Sequence, residues 1–189
     1  MGTAERLASA ALTILVDEGA QAVTMRRVAD AAGVTTMATY RHYANRETLL
    51  RAVAGAAFAE VGAVWARRDD TLDFRTRIDT LADDFLDFAL GKPNLYLFLI
   101  TDVRRDARRF PEEIRTGSPL FVPVIGAIEQ GMREGVLRAD DPLEVALALT
   151  TPAMGLVQLY LGGRMSLSEA DFRLLCKRTV ERVLNGLRA

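Results

Sequence analysis

Apolar residues recur along the chain at intervals of three and four, and no alternating β-branched run bounded by Asn-Gly or Asp-Gly marks a hairpin. The pattern predicts an all-α fold. Leu7, Ala11, Ile14 and Leu15 share one face of a first helix, which Thr3 is placed to cap and Gly19 to end. Thr24 can cap a short helix over residues 25–32, Gly33 breaks it, and a second short helix restarts after Thr35 or Thr36 and runs to Tyr43. Asn45 caps a long helix whose inner face reads Leu50, Val53, Ala54, Ala57, Val61, Val64 and Trp65, a strut between an N-terminal unit and the rest.

The stripe Phe74, Ile78, Leu81, Phe85 and Phe88 predicts a further helix, ended by Gly91 with Pro93 just beyond. A short helix carries Leu95, Tyr96, Phe98, Leu99 and Ile100. The charged run at 104–109 and the breakers Pro111, Gly117 and Pro119 then predict a mobile loop. Leu120, Val124, Ile128 and Met132 mark the next helix, closed at Gly135. Asp141 and Pro142 start another, which Pro152 is expected to kink, and Ser166 or Ser168 starts the last.

Between Glu144 and Arg164 no charge occurs, nearly the length of a membrane span. Thr150, Thr151, Pro152 and Gln158 interrupt it, and its apolar residues are heavy in Ala and Gly, so a buried protein interface is expected rather than a membrane. Half of the 189 residues are apolar, enough for a real core. With 24 Lys and Arg against 25 Asp and Glu, bulk charge cannot hold nucleic acid, and any such contact must be a local patch. The single Cys176 and single His42 exclude a disulfide framework and the common metal constellations. No apolar signal core follows the first residues, and a cytoplasmic setting is the expectation.

That local patch exists. Two helices crossing through a tight turn need a small residue where their backbones meet and one tolerant of positive φ in the turn, and Ala29 and Gly33 supply them. Val28, Ala32 and Val34 provide a small core, while Thr36, Met37, Tyr40 and Arg41 form one outward strip suited to a major groove. From residue 24 to 46, Arg26, Arg27, Arg41 and Arg46 stand against Asp30 alone, a local charge of +3. Helix N-termini at Thr24 and Thr35 offer N–H groups to phosphate oxygens.

The segments Asp17-Glu18-Gly19, Thr24-Met25-Arg26-Arg27-Val28-Ala29, Ala32-Gly33-Val34, Tyr40-Arg41-His42-Tyr43 and Asn45-Arg46-Glu47-Thr48-Leu49-Leu50 together resemble the N-terminal domain of the TetR family of bacterial transcriptional repressors. The resemblance implies a three-helix DNA-binding domain over residues 1–45, and over 46–189 a linking helix with a helical effector-binding and dimerisation domain. It implies base reading by Arg26, Thr36 and Met37, with Arg41 a further reader from its place on the strip. It implies phosphate contacts from Tyr40, His42 and Arg46, assisted by Thr24 and Thr35. Met37 stands where the family often has Gly or Ala, Thr39 where it has a buried aliphatic, and Arg46 where it often has Lys. The operator therefore does not transfer from a relative.

Further along, Phe88-Ala89-Leu90 and Pro93-Asn94-Leu95-Tyr96 look like a segment of one C-terminal subgroup of that family. Trp65, Phe85, Phe88, Tyr96, Phe98, Phe121 and Met154 can line an apolar effector cavity, with Gln158 and Tyr160 as polar handles, although aromatic stripes at helical spacing are core by default. Ala148, Gly155, Leu156 and Leu159, with Val180, Val183 and Leu187, are candidates for a homodimer surface of two helices per subunit. No cofactor is implied beyond a small effector of unspecified identity. The expected function is a dimeric regulator, a repressor by resemblance, bound to a pseudo-palindromic double-stranded operator and released by a small apolar effector. An enzyme is not expected, since no phosphate loop, metal spacing or nucleophile motif is present. The alternative is a helical lipid-binding or structural dimer without DNA binding.

Overall fold

A computed structural model describes residues 2–67, 71–102 and 109–188. The described residues form helices α1 (Thr3–Glu18), α2 (Met25–Ala31), α3 (Thr36–His42), α4 (Arg46–Ala66), α5 (Phe74–Gly91), α6 (Pro93–Thr101), α7 (Glu112–Gly117), α8 (Phe121–Arg133), α9 (Pro142–Leu161) and α10 (Glu169–Gly186), with a 3-10 turn at Ala20–Ala22. Among them the sole β feature is an isolated bridge between Leu137 and Arg188. The all-α expectation holds.

Most helix ends follow from the residues read as caps. Thr24, Thr35 and Ser168 accept from the backbone N–H three residues on, and Asp141 accepts from Leu143 and Glu144 with Pro142 in the first turn. Asn45 Oδ1 accepts from Thr48 N at 2.8 Å. Thr3, by contrast, is the first helical residue of α1, and Gly2 holds the cap position with its N–H donated to Glu5 Oε2 at 2.7 Å. The helix α9 runs through Pro152 without a break. The segment expected as a loop contains α7, whose first turn carries Glu112 and Glu113, favourable at a helix N-terminus, and whose Arg115 pairs with Asp141 at 2.5 Å. Residues 104–108 of the predicted mobile loop lie outside the described residues.

The chain divides into two compact units, one of Met1–Glu60 with Gly91–Val103, the other of Val61–Leu90 with Arg104–Ala189. The expected boundary after residue 45 falls within the first unit, which also contains most of α4 and the whole of α6. Its core is Leu7, Ala11, Leu15, Val23, Val28, Ala29, Leu49, Leu50, Ala54, Leu95 and Tyr96, all nearly inaccessible. Each large aliphatic among them contributes about 1.5–3 kcal/mol by leaving water. The helix α6 is tied to the end of α1: Asn94 Nδ2 donates to Val16 O at 2.9 Å, one of the last-turn carbonyls that a helix cannot satisfy itself. Arg51 Nε donates to Asp102 Oδ2 at 2.9 Å and holds the other end of α6 to α4.

The second unit packs α5, α8, α9 and α10. The α5 stripe is buried as predicted, from Phe74 through Ile78, Leu81 and Phe85 to Phe88. Gly131 lets α8 approach it, because a Cβ there would stand 2.7 Å from the Phe74 ring. Ion pairs join α5 to α10 along their length: Arg75 with Glu181, Asp83 with Lys177 at 2.7 Å, and Asp87 with Arg173 at 2.7 Å. Pairs so exposed fix register more than they stabilise. At the C-terminal end of α4 the predicted face departs from the observed one: Trp65 is buried but Val64 is 56% exposed. The buried set of α4 changes along its length, Leu49, Leu50, Val53 and Ala54 serving the first unit and Trp65 the second, so no single stripe describes it.

Two helices, α4 and α9, are long and apolar enough by composition to cross a membrane. For α9 the reason is visible: Leu143, Ala146, Leu149, Ala153 and Val157 are buried in the unit, while Ala148, Gly155 and Leu159 lie on an exposed and still uncharged face.

Candidate nucleic-acid interface

The turn between α2 and α3 is built as the sequence requires. Ala32 N donates to Val28 O at 2.9 Å and Val34 N to Ala29 O at 3.0 Å, closing α2 over a Gly33 with φ of 65°. A Cβ at Gly33 would meet nothing within 4 Å, so the requirement is conformational rather than spatial. Ala29 is fully buried at the crossing. This is a helix-turn-helix, and its second helix presents the predicted strip outward.

On that strip Met37 is 67% and Tyr40 50% exposed, with Arg41 and His42 also exposed and Thr36 half-buried. Arg26 lies near the start of α2 with its side chain 86% exposed, within only 4.0 Å of Asp30. Thr24 Oγ1 accepts from Arg27 N at 3.1 Å and Thr35 Oγ1 from Ala38 N at 3.2 Å. Both hydroxyls therefore cap their helices as acceptors, and each keeps a proton to donate.

Two of the four local arginines serve the fold. Arg27 forms a fork on Glu18, with Nη2 to Oε1 at 2.7 Å and Nη1 to Oε2 at 3.0 Å, and also donates to Ala22 O. The hydrogen bond from Arg27 holds the Glu18 carboxyl below its ordinary range, and Glu18 in turn raises Arg27. Arg46 donates from Nε to Val23 O at 2.6 Å and from Nη2 to Ala20 O at 2.5 Å. Half-buried, it ties the start of α4 to the segment that leads into the Thr24 cap. Position in the sequence signals its charge but not this backbone engagement.

Thr39, inside α3, is fully buried and its Oγ1 has no hydrogen-bond partner. The hydroxyl sits where the small core of the unit calls for an aliphatic atom.

The second unit contains an apolar cavity of about 50 Å³, lined from α5 by Ile78, Leu81, Ala82, Phe85 and Leu86, from the start of α8 by Leu120 and Val124, from α9 by Leu149, Thr150, Ala153 and Met154, and from α10 by Cys176 and Val180. No charged side chain reaches its wall. Thr150 turns its hydroxyl to Ala146 O at 2.8 Å, and burial pushes the Cys176 thiol up to about 11. Of the expected effector residues, Phe85 and Met154 line this cavity. Trp65 and Phe88 instead pack on each other edge to face, with centroids 6.0 Å apart. Tyr96 is buried in the first unit, where Phe98 also lies, and Phe121 is half-buried outside the wall. Gln158 is exposed, Tyr160 stacks on Phe172 at 4.1 Å, and neither lines this cavity. Aromatic residues stand out in a sequence by size, whereas this wall is mostly aliphatic and depends on which helices face each other.

Of the residues expected at a dimer surface, Ala148, Gly155 and Leu159 are exposed and Leu156, Val183 and Leu187 half-buried. Val180 is buried in the core and faces the cavity. Among the described residues no group of His, Cys, Asp and Glu is arranged to hold a metal ion.

The chain matches two family models, bacterial regulatory proteins of the tetR family over residues 7–53 and the tetracyclin repressor-like C-terminal domain over residues 78–183. None of the curated proteins matches. Among solved structures, a protein of unknown function from Rhodococcus sp. RHA1 is 20% identical, with a TM-score of 0.78 over 100% of this chain and 97% of its own. A TetR-family transcriptional regulator from Pectobacterium atrosepticum is 20% identical, with a TM-score of 0.77 over 99% of this chain and 94% of its own. The transcriptional regulator FadR from Bacillus subtilis, in complex with stearoyl-CoA, is 13% identical, with a TM-score of 0.74 over 97% of this chain and 99% of its own. At these identities the likeness is one of fold.

Proposed function

The chain belongs to the TetR family of bacterial regulatory proteins, and from that premise we propose that it is a cytoplasmic repressor that binds a pseudo-palindromic operator as a homodimer and leaves it when a small apolar effector binds. The observation that carries the DNA reading is the exposed strip of α3 beside Arg26, in a segment of net positive charge within a near-neutral chain. Arg26, Thr36, Met37 and Arg41 read base edges, and Thr24, Thr35, Tyr40 and His42 hold phosphates. Arg46 acts on the phosphate contacts through Thr24, whose cap it positions by holding the Ala20 and Val23 carbonyls.

The dimer is formed by the exposed faces of α9 and α10, where Ala148, Gly155 and Leu159 offer apolar area without charge. Two copies related by a twofold axis would read half-sites about 34–36 Å apart, or a multiple of that. The effector enters at the cavity of the second unit, which at about 50 Å³ must widen to hold it. The cavity wall carries no charged side chain, and burial keeps the Cys176 thiol protonated by pushing it up to about 11, which favours an uncharged aliphatic body. The FadR neighbour, solved with stearoyl-CoA, supports a ligand with an apolar chain, although a coenzyme A headgroup would meet no cationic side chain on this wall.

Binding-site selection from a random duplex library tests the reading. A palindromic motif should emerge, bound by a species that sediments as a dimer, and Gly155→Arg should yield a monomer with weaker binding. Failure to enrich any sequence, with intact folding, overturns the DNA reading in favour of a helical ligand-binding dimer.

A further inference from the structure

Among the large apolar side chains of the described residues, Met37 is the most exposed, at 67%. It sits in the first turn of α3, one turn before Tyr40, and the Thr35 cap fixes the backbone from which it projects. A flexible thioether chain left in water at the start of a recognition helix has no role in the core: the side of α3 that packs inward is Thr39, which is fully buried. Met37 cannot donate a hydrogen bond and accepts only weakly through sulfur, so it cannot distinguish bases by their N–H and C=O edges. Major-groove edges present one apolar feature, the 5-methyl group of thymine. The first residues of a recognition helix are those that reach base edges.

We propose that Met37 makes the protein specific for thymine at one position in each half-site, by burying the 5-methyl group against its side chain. The inference rests on the DNA-binding reading above. It assigns a specificity that the charged strip cannot supply, because Arg26 and Arg41 favour guanine.

The experiment uses the full-length dimer and the palindrome recovered by selection. Each thymine is replaced singly by uracil, which lacks only the 5-methyl group. One thymine per half-site should matter, with affinity falling about fourfold for each methyl removed. The Met37→Ser variant should bind uracil and thymine duplexes equally at that position, and Met37→Leu should restore the difference. Arg26→Ala should weaken both duplexes alike and leave the ratio unchanged. Indifference of the wild type to every uracil, or a uracil penalty that persists in Met37→Ser, overturns the assignment while leaving the DNA reading intact. Recovery of no palindrome overturns the DNA reading itself, and this inference with it.

Discussion

Replacing Thr39 by Val removes the one buried hydroxyl of α3 and keeps the shape of the side chain. Thr39 has no exposed surface and its Oγ1 finds no partner, so the folded state holds a hydroxyl that water satisfies in the unfolded chain. Leaving such a group unpaired costs about 1–3 kcal/mol, and a methyl in its place adds apolar burial. Overpacking opposes the gain, because Val is slightly larger where Ala29 and Val28 are already fully buried. The balance favours Thr39→Val by about 1 kcal/mol. Native-state hydrogen exchange on α3 and α2 amides measures this locally, since 1.4 kcal/mol slows exchange about tenfold when opening and reclosing are fast compared with the chemical exchange step. Slower exchange confined to the first unit, with unchanged DNA affinity, is expected. Unchanged or faster exchange would mean that the hydroxyl is satisfied in solution or that the site cannot hold the second methyl.

Three other outcomes follow from named contacts. Arg46→Ala loses two hydrogen bonds from a charged donor to Val23 and Ala20 carbonyls, worth about 1.5–3 kcal/mol each at most; the first unit should melt earlier, and Arg46→Lys should recover only part of the loss because an ammonium cannot reproduce the fork. Ala153→Leu fills the apolar cavity, and DNA release by an uncharged medium-chain alkanol should disappear in gel shifts while affinity without the alkanol stays the same. Asp141, whose carboxyl is held below its ordinary 3.8 chiefly by the Glu144 N–H and also by Arg115, stabilises the start of α9 in its charged form. That contribution is complete above about pH 4 and is lost as pH falls through the lowered value, so Leu143 and Glu144 amides should lose protection in acid in the wild type but show no such transition in Asp141→Ala.

The helix-turn-helix was legible because its signals are local. Thr24, Gly33, Thr35 and Asn45 act within a few residues of themselves, and the strip of Met37, Tyr40 and Arg41 follows from helical periodicity alone. The cavity was less legible because its wall draws on four helices, and no periodicity in α5 says that Leu149 and Cys176 lie opposite Leu81. Large aromatics were a poor guide, with Trp65 and Phe88 closing on each other. The family resemblance implies a phosphate contact for Arg46, whereas its bonds to carbonyls twenty-three and twenty-six residues earlier are tertiary information. The α7 turn was hidden by its flanking Pro111 and Gly117, which mark its ends rather than exclude it.

Whether the face of Arg26 and α3 reads DNA is decided by fluorescence anisotropy of the selected duplex against a random one at two salt concentrations, with wild type and Arg26→Ala. Wild type should bind the selected duplex at least about a thousandfold tighter. Its affinity should fall steeply with salt as counterions are released, and Arg26→Ala should lose most of the selectivity with the salt slope little changed. Equal affinity for both duplexes, or full selectivity retained in Arg26→Ala, would mean that this face does not read DNA.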